Sequence, residues 1–231
     1  MMFADRHEAG RKLAERLLRF RDRHPVVLAL ARGGMPVGYE IARRLGAPLD
    51  LMLVRKLGAP GQPELALGAL ALGAEVEILT DPRLIAELGV TGTELASITG
   101  YARAEIERRR TLYLGDRPPV PIAGCTAILV DDGIATGATM HASLIATRKR
   151  NPALLVLAVP VAPPDTIARL REEADEIVCL AQPRSFFSVG QFYHDFAQLE
   201  DREVLALLAE ARQFVTNSIN LPSPLAMDKK R

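Results

Sequence analysis

The run Ile128-Leu129-Val130-Asp131-Asp132-Gly133-Ile134-Ala135-Thr136-Gly137-Ala138-Thr139-Met140 sets two adjacent acids between an apolar stretch and a loop of small residues and threonines. The pattern reads as a buried, parallel-type strand ending at Val130 and delivering both carboxylates to its C-terminal edge. The loop then turns into a helix whose first N–H groups lack partners and whose end carries partial positive charge, a combination that binds phosphate. Gly137 lets the backbone approach the anion closely, and Thr136 and Thr139 offer hydroxyl donors. Two carboxylates would repel a phosphate, but they accept charge-assisted hydrogen bonds from vicinal hydroxyls. The implied ligand is a sugar phosphate with a cis-diol, most simply a ribose 5-phosphate unit.

Three further stretches carry the residue types such a ligand needs. Ala31-Arg32-Gly33-Gly34-Met35-Pro36 follows an earlier apolar run. Its two glycines permit positive φ and expose consecutive N–H groups, an anion-binding nest, beside the cationic fork of Arg32. Taken alone it equally describes a tight turn before a helix. Arg55-Lys56 closes the next apolar run and precedes the Gly- and Pro-rich segment Leu57 to Glu64. Cations at a strand's C-terminal end point to the edge where open α/β sheets bind ligands, although a basic pair there is often just solvated. Finally, residues 183–196 hold five aromatics within eleven positions of a chain that is only 5% aromatic. Aromatics bind planar heterocycles by stacking, and they also pack small hydrophobic lids.

The acid-pair run closely resembles the PRPP-binding motif of the type I phosphoribosyltransferases, which use 5-phosphoribosyl 1-pyrophosphate. The resemblance spans roughly residues 3–214. It implies that Asp131 and Asp132 hold the ribose hydroxyls and that Ala135, Thr136, Gly137, Ala138 and Thr139 hold the 5-phosphate. It further implies that Arg32, Gly33, Gly34, Arg55 and Lys56 serve the pyrophosphate, with Gly58 to Glu64 as all or part of a mobile flap. One departure is visible: Gly133 stands where the family usually has a larger apolar residue. Phe187-Ser188-Val189-Gly190 is similar to a stretch of the purine-salvage members. On that likeness a hood over residues 181–200 supplies the acceptor contacts, Phe187, Val189 and Tyr193. The metal-associated acid of those members is offset relative to Asp195, so no metal role is carried over to Asp195. Glu64 also stays unassigned, and His194 reads as structural or exposed.

What the resemblance implies chemically is transfer of the 5-phosphoribosyl group from Mg-PRPP to a nitrogenous acceptor, most simply a nucleobase, with release of pyrophosphate. Asp131, Asp132, Lys56 and Arg32 form the expected catalytic set, with the acids ionised. No protein nucleophile is required, and no residue is assigned as a direct metal ligand, since PRPP itself chelates the Mg²⁺. The alternative is a non-catalytic, PRPP- or nucleotide-binding regulator on the same fold. The chain has neither GxxxxGK[ST] nor GxGxxG, which argues against P-loop and dinucleotide-binding enzymes. Relatives are often homodimers, and the resemblance implies one here.

Elements must bring these stretches together, and the pattern supplies them. Strand-like and helix-like segments alternate, which predicts an α/β fold with a parallel sheet flanked by helices, a Rossmann-like core with a small hood. Strands are expected at 26–30, 49–54, 125–130, 154–159 and 176–180, with weaker candidates near 67–72 and 75–79. Helices are expected at 8–21, 36–45, 137–150, 164–174 and 202–214. A capping box of Thr91 and Glu94 opens a long helix ending near Leu114. Its Arg108-Arg109-Arg110 reads as a solvated face, supported by the Glu105–Arg109 spacing. One domain is expected over residues 1–215, with the N-terminal and 91–115 segments as further candidates for the hood. Residues 216–231, polar, prolyl and basic, read as a disordered tail.

Composition agrees without selecting. The 231 residues are 48% hydrophobic and 25% charged, with 29 basic against 28 acidic side chains, which gives no reason to expect a nucleic-acid or membrane partner. The apolar runs are too short to span a bilayer, and the charged N-terminus lacks a signal-peptide core. Two cysteines in apolar runs, Cys125 and Cys179, read as buried reduced thiols, so a cytoplasmic location is expected.

Overall fold

In the computed structural model the described residues are 2–72 and 76–216, with Pro63, Glu64, Val215 and Thr216 described by backbone alone. Along the chain come α1 (Arg6–Leu17), β1 (Pro25–Leu30), α2 (Gly34–Leu45), β2 (Leu49–Ala59), β3 (Gln62–Leu72) and β4 (Val76–Thr80). Next are α3 (Pro82–Glu87), α4 (Gly92–Leu114), β5 (Thr126–Val130), α5 (Ala138–Arg148) and β6 (Leu154–Val161). Last are α6 (Pro164–Leu170), β7 (Glu176–Ala181) and α7 (Asp201–Thr216). The strands form one seven-stranded sheet in the order β4-β3-β2-β1-β5-β6-β7. β2, β1, β5, β6 and β7 are parallel, while β3 and β4 add antiparallel strands at one edge.

The parallel strands are apolar throughout because both faces are covered. Alternate residues serve different layers. Val27, Ala29, Leu51, Leu53, Ile128 and Val130 share a core with α1, α2, α4 and α7. Leu28, Leu30, Met52, Leu129, Leu157 and Val159 share the opposite one with Met140 and Leu144 of α5 and Ile167 of α6. The C-terminal ends of β1, β2 and β5 therefore open onto one edge, with their loops side by side.

The stretch expected as all or part of a flap, Gly58 to Glu64, lies in a hairpin. β2 runs on to Ala59 and pairs with β3 as a hairpin, with Gly61 at its tip in a left-handed conformation (φ 71°). The glycines and prolines that suggest a loop fall at the tip and at register shifts around Gly58, where a strand tolerates them. The short helix α3 has no counterpart among the expected elements. The capping box is present: Thr91 Oγ1 accepts from the Glu94 N–H at 3.2 Å and Glu94 accepts from the Thr91 N–H at 2.9 Å.

The hood packs on the N-terminal segment. The Phe3 N–H donates to the Phe192 carbonyl, and the His194 N–H donates to the Phe3 carbonyl, both at 2.8 Å. Phe3, Phe192, Tyr193 and Val161 make a small core of their own, with Phe186, Val189 and Phe196 against it. Both cysteines are free thiols, though only half-buried rather than buried. No helix among the described residues is long and apolar enough to cross a membrane. The expectation of disorder for the tail beyond Thr216 lies outside the described residues.

Candidate functional site

Asp131 and Asp132 leave the end of β5, and the Gly33-Gly34 turn leaves β1 beside it. A Cβ on Gly33 would lie 2.2 Å from Asp132 Oδ2, and one on Gly34 would lie 2.6 Å from the Val130 carbonyl oxygen. Positive φ is not what these glycines supply, contrary to the nest expected from sequence: Gly33 sits at φ −57° in the right-handed region. They are required because the backbone of one loop crosses the carboxylate of the other with no room for a side chain. The two loops thus form one unit.

The acids are not equivalent. Asp132 is 8% exposed, whereas Asp131 keeps partial access to solvent. Arg6, at the start of α1, donates from Nε to Asp132 Oδ2 at 2.7 Å and from Nη1 to the Ala197 carbonyl at 2.8 Å. Its guanidinium carbon also lies 3.8 Å from the centre of the Phe196 ring. Asp131 Oδ1 accepts the Asp132 N–H at 2.9 Å. Burial pushes the Asp131 carboxyl well above the ordinary carboxylate range, and the neighbouring Asp132 pushes it further. Burial also raises Asp132, with Arg6 opposing. Both shifts run against ionisation, so the pair carries two charges less readily than two isolated carboxylates would.

The loop after the acids is held from behind. The Thr166 hydroxyl donates to the Ala135 carbonyl at 2.8 Å, and Arg169 Nη2 donates to the Thr136 carbonyl at 3.0 Å. Gly137 caps α5 at φ 83°, a left-handed conformation that favours glycine, and no side chain caps the helix. The first N–H groups of α5 are thereby left facing outward from a fixed loop, the arrangement that suits a phosphate. Gly133 has its own reason: a Cβ there would sit 2.5 Å from Val189 Cγ1. The hood's valine occupies the space that a larger residue would take.

Arg55 and Lys56 of β2 line a cavity of about 710 Å³ together with Thr139, Tyr101 and Arg109. Arg55 lies over the Tyr101 ring at 6.0 Å. Arg32 lies 3.7 Å from Asp201 at the start of α7, which also accepts the Tyr113 hydroxyl of α4. The expected acceptor contacts separate. Phe187 is 89% exposed, Val189 packs on Gly133, and Tyr193 is buried against Phe3 and Phe196 with its hydroxyl donating to the Asp132 carbonyl at 2.5 Å. Burial, with Asp132 nearby, holds the Tyr193 phenol above its usual range. Tyr193 therefore supports the acid pair from beneath, and the reading of it as a stacking platform is corrected.

Sequence reasoning misses Arg6, Arg109 and Asp201. Arg6 lies 126 positions from its partner, and a helix-start arginine carries no signal of that pairing. Arg109 reads, with its neighbours, only as part of a solvated face.

A family model described as the phosphoribosyl transferase domain matches residues 5–197. The chain belongs to the phosphoribosyltransferase family. Two proteins of Mycobacterium tuberculosis, from strains CDC 1551 / Oshkosh and H37Rv and both provisionally named phosphoribosyl transferase, are 43% identical to this chain over 212 residues. That alignment takes in 92% of this chain but 47% of each relative, so the chain spans about half their length. The crystal structure of TT1426 from Thermus thermophilus is 42% identical, with a TM-score of 0.77, covering 91% of this chain and 99% of that one.

Proposed function

We propose that this chain binds Mg-PRPP at the edge formed by β1, β2 and β5 and transfers the 5-phosphoribosyl group to a nitrogenous acceptor, a nucleobase, releasing pyrophosphate. The observation that carries this reading is the contact of Gly33 with the Asp132 carboxylate. It fixes a pyrophosphate-type loop against a diol-type acid pair, with the phosphate-type loop, Ala135 to Thr139, immediately following. A 5-phosphate would take the N–H groups at the start of α5, the ribose hydroxyls would donate to Asp131, and the diphosphate would lie toward Arg32, Arg55 and Lys56. Asp132, braced by Arg6 and Tyr193, holds the wall against which the ribose sits.

The acceptor nitrogen forms its bond to C1 of the ribose as the C1–O bond to pyrophosphate breaks; that bond's electron pair leaves with pyrophosphate, and the acceptor's N–H proton passes to solvent or to the released pyrophosphate. Orientation and stabilisation of charge on the leaving group supply the rate, the latter at about 3–4 kcal/mol for one well-placed donor. Mg²⁺ fits this site as a partner of the substrate: Asp131 offers a hard oxygen donor next to where the diphosphate begins, and the ion would neutralise charge on the leaving group. Phe187 is left uncommitted by the hood packing, which supports it as a contact for a planar acceptor.

Pyrophosphate release from PRPP, measured against a panel of nucleobases, tests transfer. Release that depends on one acceptor and disappears in Asp131→Asn is expected. PRPP binding without release in the presence of any acceptor would replace the transferase reading with that of a regulator.

A further inference from the structure

Of the three consecutive arginines on α4, one differs from its neighbours. The side chains of Arg108 and Arg110 are 57% and 42% exposed, whereas that of Arg109 is 20% exposed and faces the cavity shared by Arg55, Lys56 and Thr139. Among the described residues Arg109 bonds only through Nε, to Glu105 Oε1 at 2.8 Å. That bond leaves the Nη groups with no hydrogen-bond partner among the described residues, on a side chain that lines the cavity. Glu105 is itself pinned by Arg108 at 2.9 Å, and these guanidinium contacts hold its carboxyl down to about 2 despite its burial. Glu105 therefore stays charged and fixes Arg109 in one direction, a preorganised cation rather than a wandering surface arginine.

The cavity wall brings three cationic side chains toward one space, and among the described residues no carboxylate lines it. Its volume is within the range of small-ligand sites. Cations so placed suit an anion carrying more charge than one phosphate, and the 5-phosphate is already provided for by the start of α5. We propose that Arg109 is a further ligand of the leaving-group diphosphate, supplied by α4, and that Glu105 is its positioning residue. This rests on the PRPP reading of the site and extends it to an element that the family motif does not contain.

The test compares three probes by calorimetry in the presence of Mg²⁺: PRPP, inorganic pyrophosphate and ribose 5-phosphate. Arg109→Gln is expected to weaken PRPP and pyrophosphate about ten- to a hundredfold while ribose 5-phosphate binds as it does to wild type. Glu105→Gln should weaken the same two probes by less, and Arg110→Gln should change none. Equal loss for all three probes in a folded Arg109→Gln would mean a general structural role and overturn the proposal. So would unchanged pyrophosphate binding by that variant. If wild type binds PRPP and only the Arg109 contrast fails, the PRPP reading stands without this ligand; if wild type binds neither PRPP nor ribose 5-phosphate, both fall.

Discussion

Arg6 and Asp132 are joined by a 2.7 Å ion pair in which both side chains are nearly buried, at 10% and 12% exposure. The pair ties the first helix to the C-terminal end of β5. It also holds one oxygen of the second acid away from any ligand. In the proposed reading Asp131 is therefore the acid left to take the ribose hydroxyls, while Asp132 shapes the site.

Removing Arg6 strands a buried carboxylate. Arg6→Ala should destabilise the fold by about 3–5 kcal/mol, as expected when one partner of a buried pair is deleted. Asp132→Asn in the same chain should recover part of that loss, so the double-mutant cycle should show a clear coupling energy. Denaturant unfolding of the four variants measures it, and a single-mutant loss below about 0.5 kcal/mol, the scale of a neutral surface change, would refute the pair's role.

The glycine beside the acids makes a second prediction. Gly33→Ala forces the Asp132 carboxylate aside, because the new methyl would stand 2.2 Å from Oδ2. PRPP binding should fall by at least tenfold, about 1.4 kcal/mol, in a protein that still folds. Calorimetry and circular dichroism on the same sample separate the two effects.

Gly133 and Val189 predict a compensation. Gly133→Ala should cost about 1–3 kcal/mol by overpacking against the hood valine. Adding Val189→Ala should restore most of it, as read by thermal melting. An additive double mutant would show that the hood yields elsewhere.

Asp131 gives the pH dependence. Its carboxyl is raised well above the ordinary value of 3.8 by burial and by Asp132. The folded protein therefore holds a proton that the unfolded chain releases sooner. The stability this contributes is fully present below the ordinary carboxylate value and is lost as pH rises through the raised one. Asp131→Asn should then melt higher than wild type at neutral pH while binding PRPP worse. Ribose hydroxyls favour the ionised carboxylate, so PRPP affinity should fall as pH falls through the raised value, a dependence read by calorimetry at several pH values that Asp131→Asn should lack.

How much of this is legible in the sequence follows from the range of each signal. Apolar runs and the acid-Gly-Thr loop are local, and Asp131, Asp132 and Ala135 to Thr139 lie as expected on one strand-to-helix turn. Strand alternation likewise points to the parallel sheet. Contacts between distant segments are not readable: Arg6 on Asp132, Val189 on Gly133, and the glycines of one loop against the acids of another. Gly58 and Pro60 read as loop because composition does not distinguish a bulged hairpin from a flap. In Arg108-Arg109-Arg110 the helical period shows that the three face different ways, but not which of them faces a cavity. The aromatics of 186–196 are legible as a cluster, yet only tertiary packing separates buried Tyr193 from exposed Phe187.

The measurement that bears most directly on the central claim is calorimetric titration of the protein with PRPP in the presence of Mg²⁺, beside Asp131→Asn. Saturable binding by wild type, weakened about ten- to a hundredfold in a folded Asp131→Asn, is the predicted result. Absence of binding by folded wild type, or equal binding by the variant, would contradict it.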